Sequence, residues 1–238
     1  MQTTPHLPEA LSFIGKVEEA YAGLMCFAAP GEESLGGKLL YAGELDEAGR
    51  VLTIAGNIGG AATLAASDQT APLRQAMHAG VIDFLVNSLD EALRILKNEI
   101  RKREPVSVAV SIAPQAIEQQ MLDRGVLPDL LPAHRPFAPG ISSFDTFITQ
   151  GAQCIAPAPL PRASKLLIGQ IPADFAQRPA DFDALLLQHL PPSDHAAIRW
   201  LRQSPRYLGP QLRRLRSLPC DEETASKLIS VLGPPLQN

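Results

Sequence analysis

The chain has 238 residues, enough to bury one sizeable core and to leave room for a helical extension. Hydrophobic residues make up 45% and charged residues 19% of the sequence, which excludes a disordered or fibrous protein. The formal net charge of −4 provides no overall attraction to nucleic acid or to an acidic membrane, so we expect neither as a partner.

The cysteines argue against a disulfide framework and against a zinc site. Cys26, Cys154 and Cys220 lie far apart and form no CxxC pair, so we expect no metal. Free thiols are typical of the reducing cytoplasm, where we expect this protein to act. The first residues contain no basic region followed by an apolar run, and no apolar stretch is long enough to span a bilayer, so neither a signal peptide nor a membrane span is predicted.

The chain begins with a predicted amphipathic helix over residues 8–22. Leu11, Ile14, Val17 and Tyr21 recur at helical spacing and share one side of it. This helix is expected to pack on the domain that follows.

A run of glycines near residue 60 is the strongest candidate for a functional site. Residues 51–55 are apolar and rich in β-branched side chains, which predicts a buried strand. The turn Gly56-Asn57-Ile58-Gly59-Gly60 follows, and the alanine-rich residues 61–67 are expected to begin a helix. Such a turn lets backbone amides approach a pyrophosphate at a helix N-terminus. Close packing is the other role open to these glycines, and their spacing favours it.

The next segments alternate between strand and helix patterns. Residues 81–86 and 106–112 are predicted strands, and residues 128–131 lead into a further short strand. Ser88 and Glu91 form a capping box that opens a helix. Pro114 suits the first turn of another helix. Strands alternating with helices at this spacing indicate a parallel sheet with crossover helices.

We therefore expect an α/β fold, with a Rossmann-like parallel sheet, flanking helices, an N-terminal helix and a mostly helical C-terminal extension. The expected division is an N-terminal segment (1–48), a Rossmann-like core (49–140) and a region of proline-rich loops and C-terminal helices packed on the core (141–238).

Two further side chains fall where open α/β sheets bind ligands, at the carboxyl ends of strands. Ser111 ends one predicted strand and His134 follows another. Either could contact a ligand; Ser111 could instead cap the helix at Pro114, and His134 could be held by local hydrogen bonds. Asp83 is at the right distance in sequence to bind a ribose, but it lies in the middle of a predicted strand.

The C-terminal part is locally basic. Its arginines could meet an acidic partner or a phosphate, although a solvated helix face is the more common role of such a run. These residues are Arg199, Arg202, Arg206, Arg213, Arg214 and Arg216.

Taken in order, these segments resemble the central Rossmann-like NAD-binding domain of urocanase (urocanate hydratase). The resemblance covers roughly residues 50–140. It rests on the strand and glycine run at residues 49–66, the Ser-Leu-Asp-Glu-Ala-Leu helix start at 88–93, the Pro-Val-Ser-Val strand at 105–108, the Arg-Gly-Val-Leu-Pro-Asp-Leu segment at 124–130, and Ala133-His134.

The resemblance implies an NAD cofactor that acts as an electrophile toward the imidazole of urocanate while water is added. It places the cofactor-binding residues at Gly56, Asn57, Gly59, Gly60, Ser111 and His134.

The departures from the family pattern are several. Asn57-Ile58 interrupts the glycine turn, Ser111 begins a segment that replaces a Gly-Asn-Ala turn, and Arg135 stands where the family has aspartate. The family's catalytic cysteine segment matches neither Cys154 nor Cys220. These departures predict weak or lost NAD binding, no normal urocanate hydratase activity, and a vestigial site for a nucleotide or small anion.

Two alternatives stay open. One is a lyase-type enzyme of altered specificity, with Asn57, Ser111, His134 and Arg135 around a small ligand. The other is a non-catalytic interaction or assembly protein, for instance a homo-oligomer, that docks through its C-terminal half.

Overall fold

The computed structural model describes residues 7–29, 31–132, 143–155 and 165–232. Its main sheet has six parallel strands in the order β3-β4-β2-β1-β5-β6, and an antiparallel pair, β7-β8, forms a second sheet. The strands are β1 (Leu39–Glu44), β2 (Ala62–Ala66), β3 (Phe84–Val86), β4 (Val106–Val110), β5 (Leu130–Pro132), β6 (Gln153–Ile155), β7 (Lys165–Gln170) and β8 (Leu215–Cys220).

Helices cover both faces of the main sheet, which confirms the α/β, Rossmann-like prediction. The α-helices of the described residues are α1 (Leu7–Met25), α2 (Glu47–Gly59), α3 (Thr70–His78), α4 (Leu89–Lys102), α5 (Pro114–Asp123), α6 (Ser143–Thr149), α7 (Pro179–Leu187), α8 (His195–Tyr207) and α9 (Glu222–Leu232). None of them combines the length and the apolar character needed to cross a bilayer.

The first βαβ unit differs from the sequence prediction. Residues 51–55, predicted to be a strand, lie inside α2, and residues 61–67, predicted to begin a helix, contain β2. Strand β1 in the middle of the sheet was missed. The cause is burial: every residue of α2 from Val51 to Gly59 is buried, and so is all of β2. Without a polar side, a short apolar run has no period that separates helix from strand.

Later elements follow the prediction closely because local signals mark their ends. The Ser88 hydroxyl accepts a hydrogen bond from the Glu91 amide at 3.3 Å and caps α4. The Glu91 carboxylate accepts from the Asn87 amide at 3.1 Å, so the return bond of the capping box reaches one residue further back than predicted. Pro114 opens α5.

The core has one layer on each face of the main sheet. In β1, Leu40 faces the layer formed with α1 and α2, whereas Tyr41 faces the layer formed with α4 and α5. A third cluster joins β7 and β8 to α7, α8 and α9. The C-terminal region thus carries a small antiparallel sheet as well as helices. The division of the chain at residues 49 and 141 stays a prediction.

Candidate functional site

The strand order identifies the place where a fold of this kind binds ligands. The chain leaves β1 toward β2 on one side of the sheet, whereas β5 lies on the other side of β1. Ligands bind at the carboxyl edge of such a switch point. A cleft of 640 Å³ opens there. This switch-point cleft is lined by Lys16, Glu19, Ala20, Asp46, Glu47, Ala48, Val51, Leu52, Pro132 and Ile155.

The turn from β1 into α2 occupies the position of the dinucleotide-binding turn. In the general fingerprint, G-x-G-x-x-G/A, the first glycine makes the tight turn and the second lets the backbone approach the pyrophosphate. Gly43 takes the first position with φ +76°. Leu45, a buried side chain, takes the second, and Ala48 takes the third. The turn therefore keeps its bend but lacks the glycine that admits the phosphates.

Gly49 preserves the close packing of helix on strand. A Cβ at this position would overlap the carbonyl oxygen of Glu44, a backbone atom with no freedom to move aside. The start of α2 is thus pressed against the end of β1. This contact, together with Gly43, is the local reason why the chain turns directly from the central strand into the helix.

The N-terminus of α2 is already occupied by an anion of the chain itself. Asp46 is the N-cap residue, and its Oδ1 accepts a hydrogen bond from the Gly49 amide at 2.9 Å. Glu47 in the first turn pairs with Lys16 at 2.6 Å, which holds the pKa of the Glu47 carboxyl below its ordinary value. Glu44 adds a third carboxylate to the turn. This donor set and charge do not fit the pyrophosphate of NAD.

The predicted glycine turn lies at the other end of α2. Gly56 and Gly59 are in its last turns, and Gly60 ends it with φ +92°. The Gly60 amide donates to the Gly56 carbonyl at 2.8 Å. A helix C-terminus presents carbonyl oxygens and the negative end of the dipole, which do not attract a phosphate. The interpretation of this segment as a strand-to-helix phosphate turn is therefore wrong.

These glycines are surrounded by packing atoms. A Cβ on Gly56 would lie 2.7 Å from both Leu40 Cδ2 and Thr63 Oγ1, and one on Gly59 would lie 3.0 Å from Leu35 Cδ1. A cofactor contact of Gly56, Gly59 and Gly60 stays a prediction, and this packing gives it no support.

Arg199 packs against the C-terminal end of α2, a contact that the sequence did not indicate. Its Nε donates to the Ile58 carbonyl at 2.7 Å, and its Nη2 lies 2.5 Å from where a Gly60 Cβ would be. Burial lowers the pKa of Arg199. The side chain comes from α8 and satisfies a carbonyl of α2 that has no partner within the helix. Arg199 therefore ties the C-terminal region to the core, whereas the sequence favoured a solvated arginine face.

The side chains of Asn57 and Ser111 lie at opposite ends of β4 and are not in contact. Asn57 is buried, and its Nδ2 donates to the Val81 carbonyl and to Ser107 Oγ, each at 3.2 Å. Ser107 lies near the amino end of β4, and Ser111 follows its carboxyl end. Four residues of strand separate them by about 13 Å. The altered-specificity hypothesis needed these side chains around one small ligand. Its other two residues, His134 and Arg135, lie outside the described residues.

Asp83 also has a structural role. Its Oδ2 accepts from the Ser107 amide at 2.8 Å and lies 2.9 Å from Ser107 Oγ, which pins the start of β3 to β4. The residue is on the amino edge of the sheet and is remote from the switch-point cleft, so it does not take the position of a ribose-binding carboxylate.

One buried acid was not predicted. Glu118 on α5 accepts a hydrogen bond from the Tyr41 hydroxyl at 3.1 Å. Burial raises the pKa of Glu118, and burial together with the neighbouring Glu118 charge raises that of Tyr41. The pair lies on the face of β1 away from α2. No sequence signal marks it, because a single glutamate on a helix is ordinarily exposed.

The described part of the chain offers little basis for a metal site or for a reactive thiol at Cys154 or Cys220. No group of three or more His, Cys, Asp or Glu side chains is placed there to hold a metal ion. Burial raises the pKa of the Cys220 thiol to about 12 and that of Cys154 above its ordinary value, so both thiols stay protonated at neutral pH.

The family comparison agrees with the architecture. The urocanase Rossmann-like domain matches residues 17–142, just over half of the chain. The matched region begins within α1 and includes β1, so it extends well before the 50–140 expected from the sequence motifs. In the family this domain binds NAD. The chain belongs to the urocanase family through its Rossmann-like domain.

Proposed function

We propose that this chain is a urocanase-family protein without urocanate hydratase activity, in which the β1–α2 turn no longer takes the pyrophosphate of NAD. One observation carries the proposal: the Asp46 carboxylate caps α2 through the Gly49 amide at 2.9 Å, where a phosphate oxygen would have to bind. The helix amide and the dipole that attract an anion are therefore already used by the chain.

Charge adds to this competition. Glu44 and Glu47 lie on either side of Leu45 and Asp46 in the same turn. A phosphate in this turn would meet the like charge of Glu44, whereas Glu47 is exposed and paired with Lys16 and adds little repulsion. The buried Leu45 side chain, where the fingerprint has glycine, removes the approach path as well.

The loss of the cofactor has a direct chemical consequence. In the family, NAD is the electrophile toward the imidazole of urocanate, and water addition depends on it. A chain that does not hold NAD lacks this electrophile, so it cannot activate urocanate for the addition of water.

The switch-point cleft supports a binding role in place of catalysis. Val51, Leu52 and Ile155 contribute the apolar part of the lining, and the polar part combines Glu19 and Asp46 with the Lys16–Glu47 ion pair. Such a lining suits a small apolar body with a neutral or cationic polar group rather than the anion predicted from the sequence. The proposed ligand of the cleft is therefore neutral or cationic, in place of the nucleotide or small anion expected from the sequence.

Calorimetric titration of the purified protein with NAD tests the proposal, with an active urocanase titrated in parallel. We expect no binding up to millimolar NAD and no loss of urocanate absorbance on incubation with both compounds. The Asp46→Ser variant keeps a capping oxygen but removes the charge, and serves as the matched control for helix stability. Micromolar NAD binding by the folded wild type, or urocanate turnover, would overturn the proposal.

A further inference from the structure

A groove on the opposite edge of the sheet carries positive charge in an otherwise acidic protein. It has a volume of 1020 Å³ and lies between α4 and the amino ends of β3 and β4. We call it the α4 groove; it is lined by Asp83, Phe84, Arg94, Ile95, Lys97, Asn98, Glu99, Arg101, Pro105 and Val106. The groove shares no residue with the switch-point cleft, so its role is independent of the proposed function.

Three cations follow one side of α4 along this groove. Arg94, Lys97 and Arg101 are spaced three and four residues apart, which places them on a common helix face, and all three are exposed. None of them forms a salt bridge within the described residues. Arg101 bonds only to the neutral Asn98 side chain, at 3.2 Å. The cations are therefore available to an external anion.

The acidic side chains of the lining are largely engaged elsewhere. Glu99 pairs with Lys102 at 2.8 Å, on the turn next to the three cations. Asp83 Oδ2 accepts from the Ser107 amide and lies 2.9 Å from Ser107 Oγ. With three cationic and two acidic side chains the lining has a formal net charge of +1, although the whole chain carries −4.

An apolar anchor and a sheet edge lie beside the cations. Phe84 is 46% exposed, and Ile95 is half-buried next to it in the lining. Phe84 begins β3, the outermost strand on its side of the main sheet, which is hydrogen-bonded to β4. An edge strand offers main-chain groups to an added strand, and an exposed aromatic offers a pocket-forming side chain.

We propose that the α4 groove docks an acidic, extended peptide segment of a partner protein. Carboxylates of the segment pair with Arg94, Lys97 and Arg101, and an apolar side chain between them packs on Phe84. A short peptide with a few carboxylates fits better than a nucleic acid, because the net charge of −4 repels a chain with one negative charge per nucleotide more strongly at long range.

The experiment uses the full chain and a fluorescein-labelled nine-residue peptide that alternates glutamate with leucine. Fluorescence anisotropy measures its binding to the wild type and to the triple variant Arg94→Glu, Lys97→Glu, Arg101→Glu. Exposed ion pairs are individually weak, so three together are expected to change the dissociation constant by about tenfold. Phe84→Ser is expected to weaken binding as well. The matched control, Arg74→Glu, Arg202→Glu, Arg214→Glu, removes the same charge from exposed positions elsewhere.

The proposal is supported if the wild type binds the acidic peptide more tightly than a glutamine-for-glutamate peptide, and the groove variant loses this preference while the control variant keeps it. It is overturned by equal binding of the two peptides, by equal losses in the groove and control variants, or by tighter binding of single-stranded DNA in the same groove. Circular dichroism of each variant verifies the fold, and the Phe84→Ser variant tests the groove without a change of charge.

Discussion

Replacing Gly49 by alanine is expected to destabilise the protein strongly, even though alanine is the better helix former. Gly49 lies in the first turn of α2, where a Cβ would overlap the Glu44 carbonyl oxygen. The helix must then move away from the end of β1. Such a shift disturbs the turn that would hold a cofactor in a fold of this type, so the substitution tests the central contact of the site.

The magnitude follows from two opposing effects. Alanine gains about 1 kcal/mol over glycine in a helix, because it loses less backbone entropy. Overpacking against a rigid backbone costs about 3 kcal/mol or more, so the net loss should be at least about 2 kcal/mol. At Gly56 the obstacles are the Leu40 and Thr63 side chains, which can adjust, and the net loss should be about 1 kcal/mol. At Gly15 in α1 no atom lies within 4 Å of the new Cβ, so a gain is expected.

Urea unfolding of the three variants measures these differences. Far-ultraviolet circular dichroism reports the helices, and fluorescence of the single tryptophan, Trp200, reports the contact of α8 with α1, since its ring lies 5.2 Å from that of Tyr21. Coincident transitions would justify two-state analysis. The expected order of stability is Gly15→Ala, wild type, Gly56→Ala, Gly49→Ala. A Gly49→Ala protein as stable as the wild type would refute the packing argument.

Two other predictions concern single carboxylates. Asp46→Ala should lower the free energy of unfolding by about 1 kcal/mol because α2 loses its cap, whereas Asp46→Ser should be nearly neutral; equal losses in urea unfolding would contradict the capping role. Burial, with the charge of Glu19, raises the pKa of Glu18 to about 7. The folded chain therefore holds this proton more tightly than the unfolded chain, and the stability present below about pH 4.5 is lost as the pH rises through 7. Glu18→Gln should remove this loss, and match the wild type at pH 4.5 but exceed it by about 3 kcal/mol at pH 8. Parallel pH profiles of thermal unfolding would contradict the assignment.

Sequence alone predicts the elements whose ends carry a cap or a proline. Ser88 and Glu91 close the first turn of α4, and Pro114 opens α5; both signals act within a few residues and do not depend on the rest of the fold. The β-branched β4 was also evident, and the alternation of strand and helix was sufficient to predict the parallel sheet. The ordered residue motifs carried the family resemblance. These features predicted the architecture and the family, which the structure and the family comparison confirm.

The first βαβ unit, and with it the place of the candidate site, depends on tertiary contacts. Val51 to Gly59 and Ala62 to Ala66 are buried on every side, so neither shows the polar face that reveals a period, and alanine-rich β2 forms a strand against its helix propensity. A glycine that lets a phosphate approach cannot be told in the sequence from one, such as Gly60, that lets the Arg199 side chain approach. Arg199 is 139 residues from Gly60 in sequence, so only tertiary contacts show which role the glycine has. The glycines that resembled a cofactor turn lie at the C-terminus of α2, while the turn after β1 leads into the N-terminus of α2, which Asp46 caps.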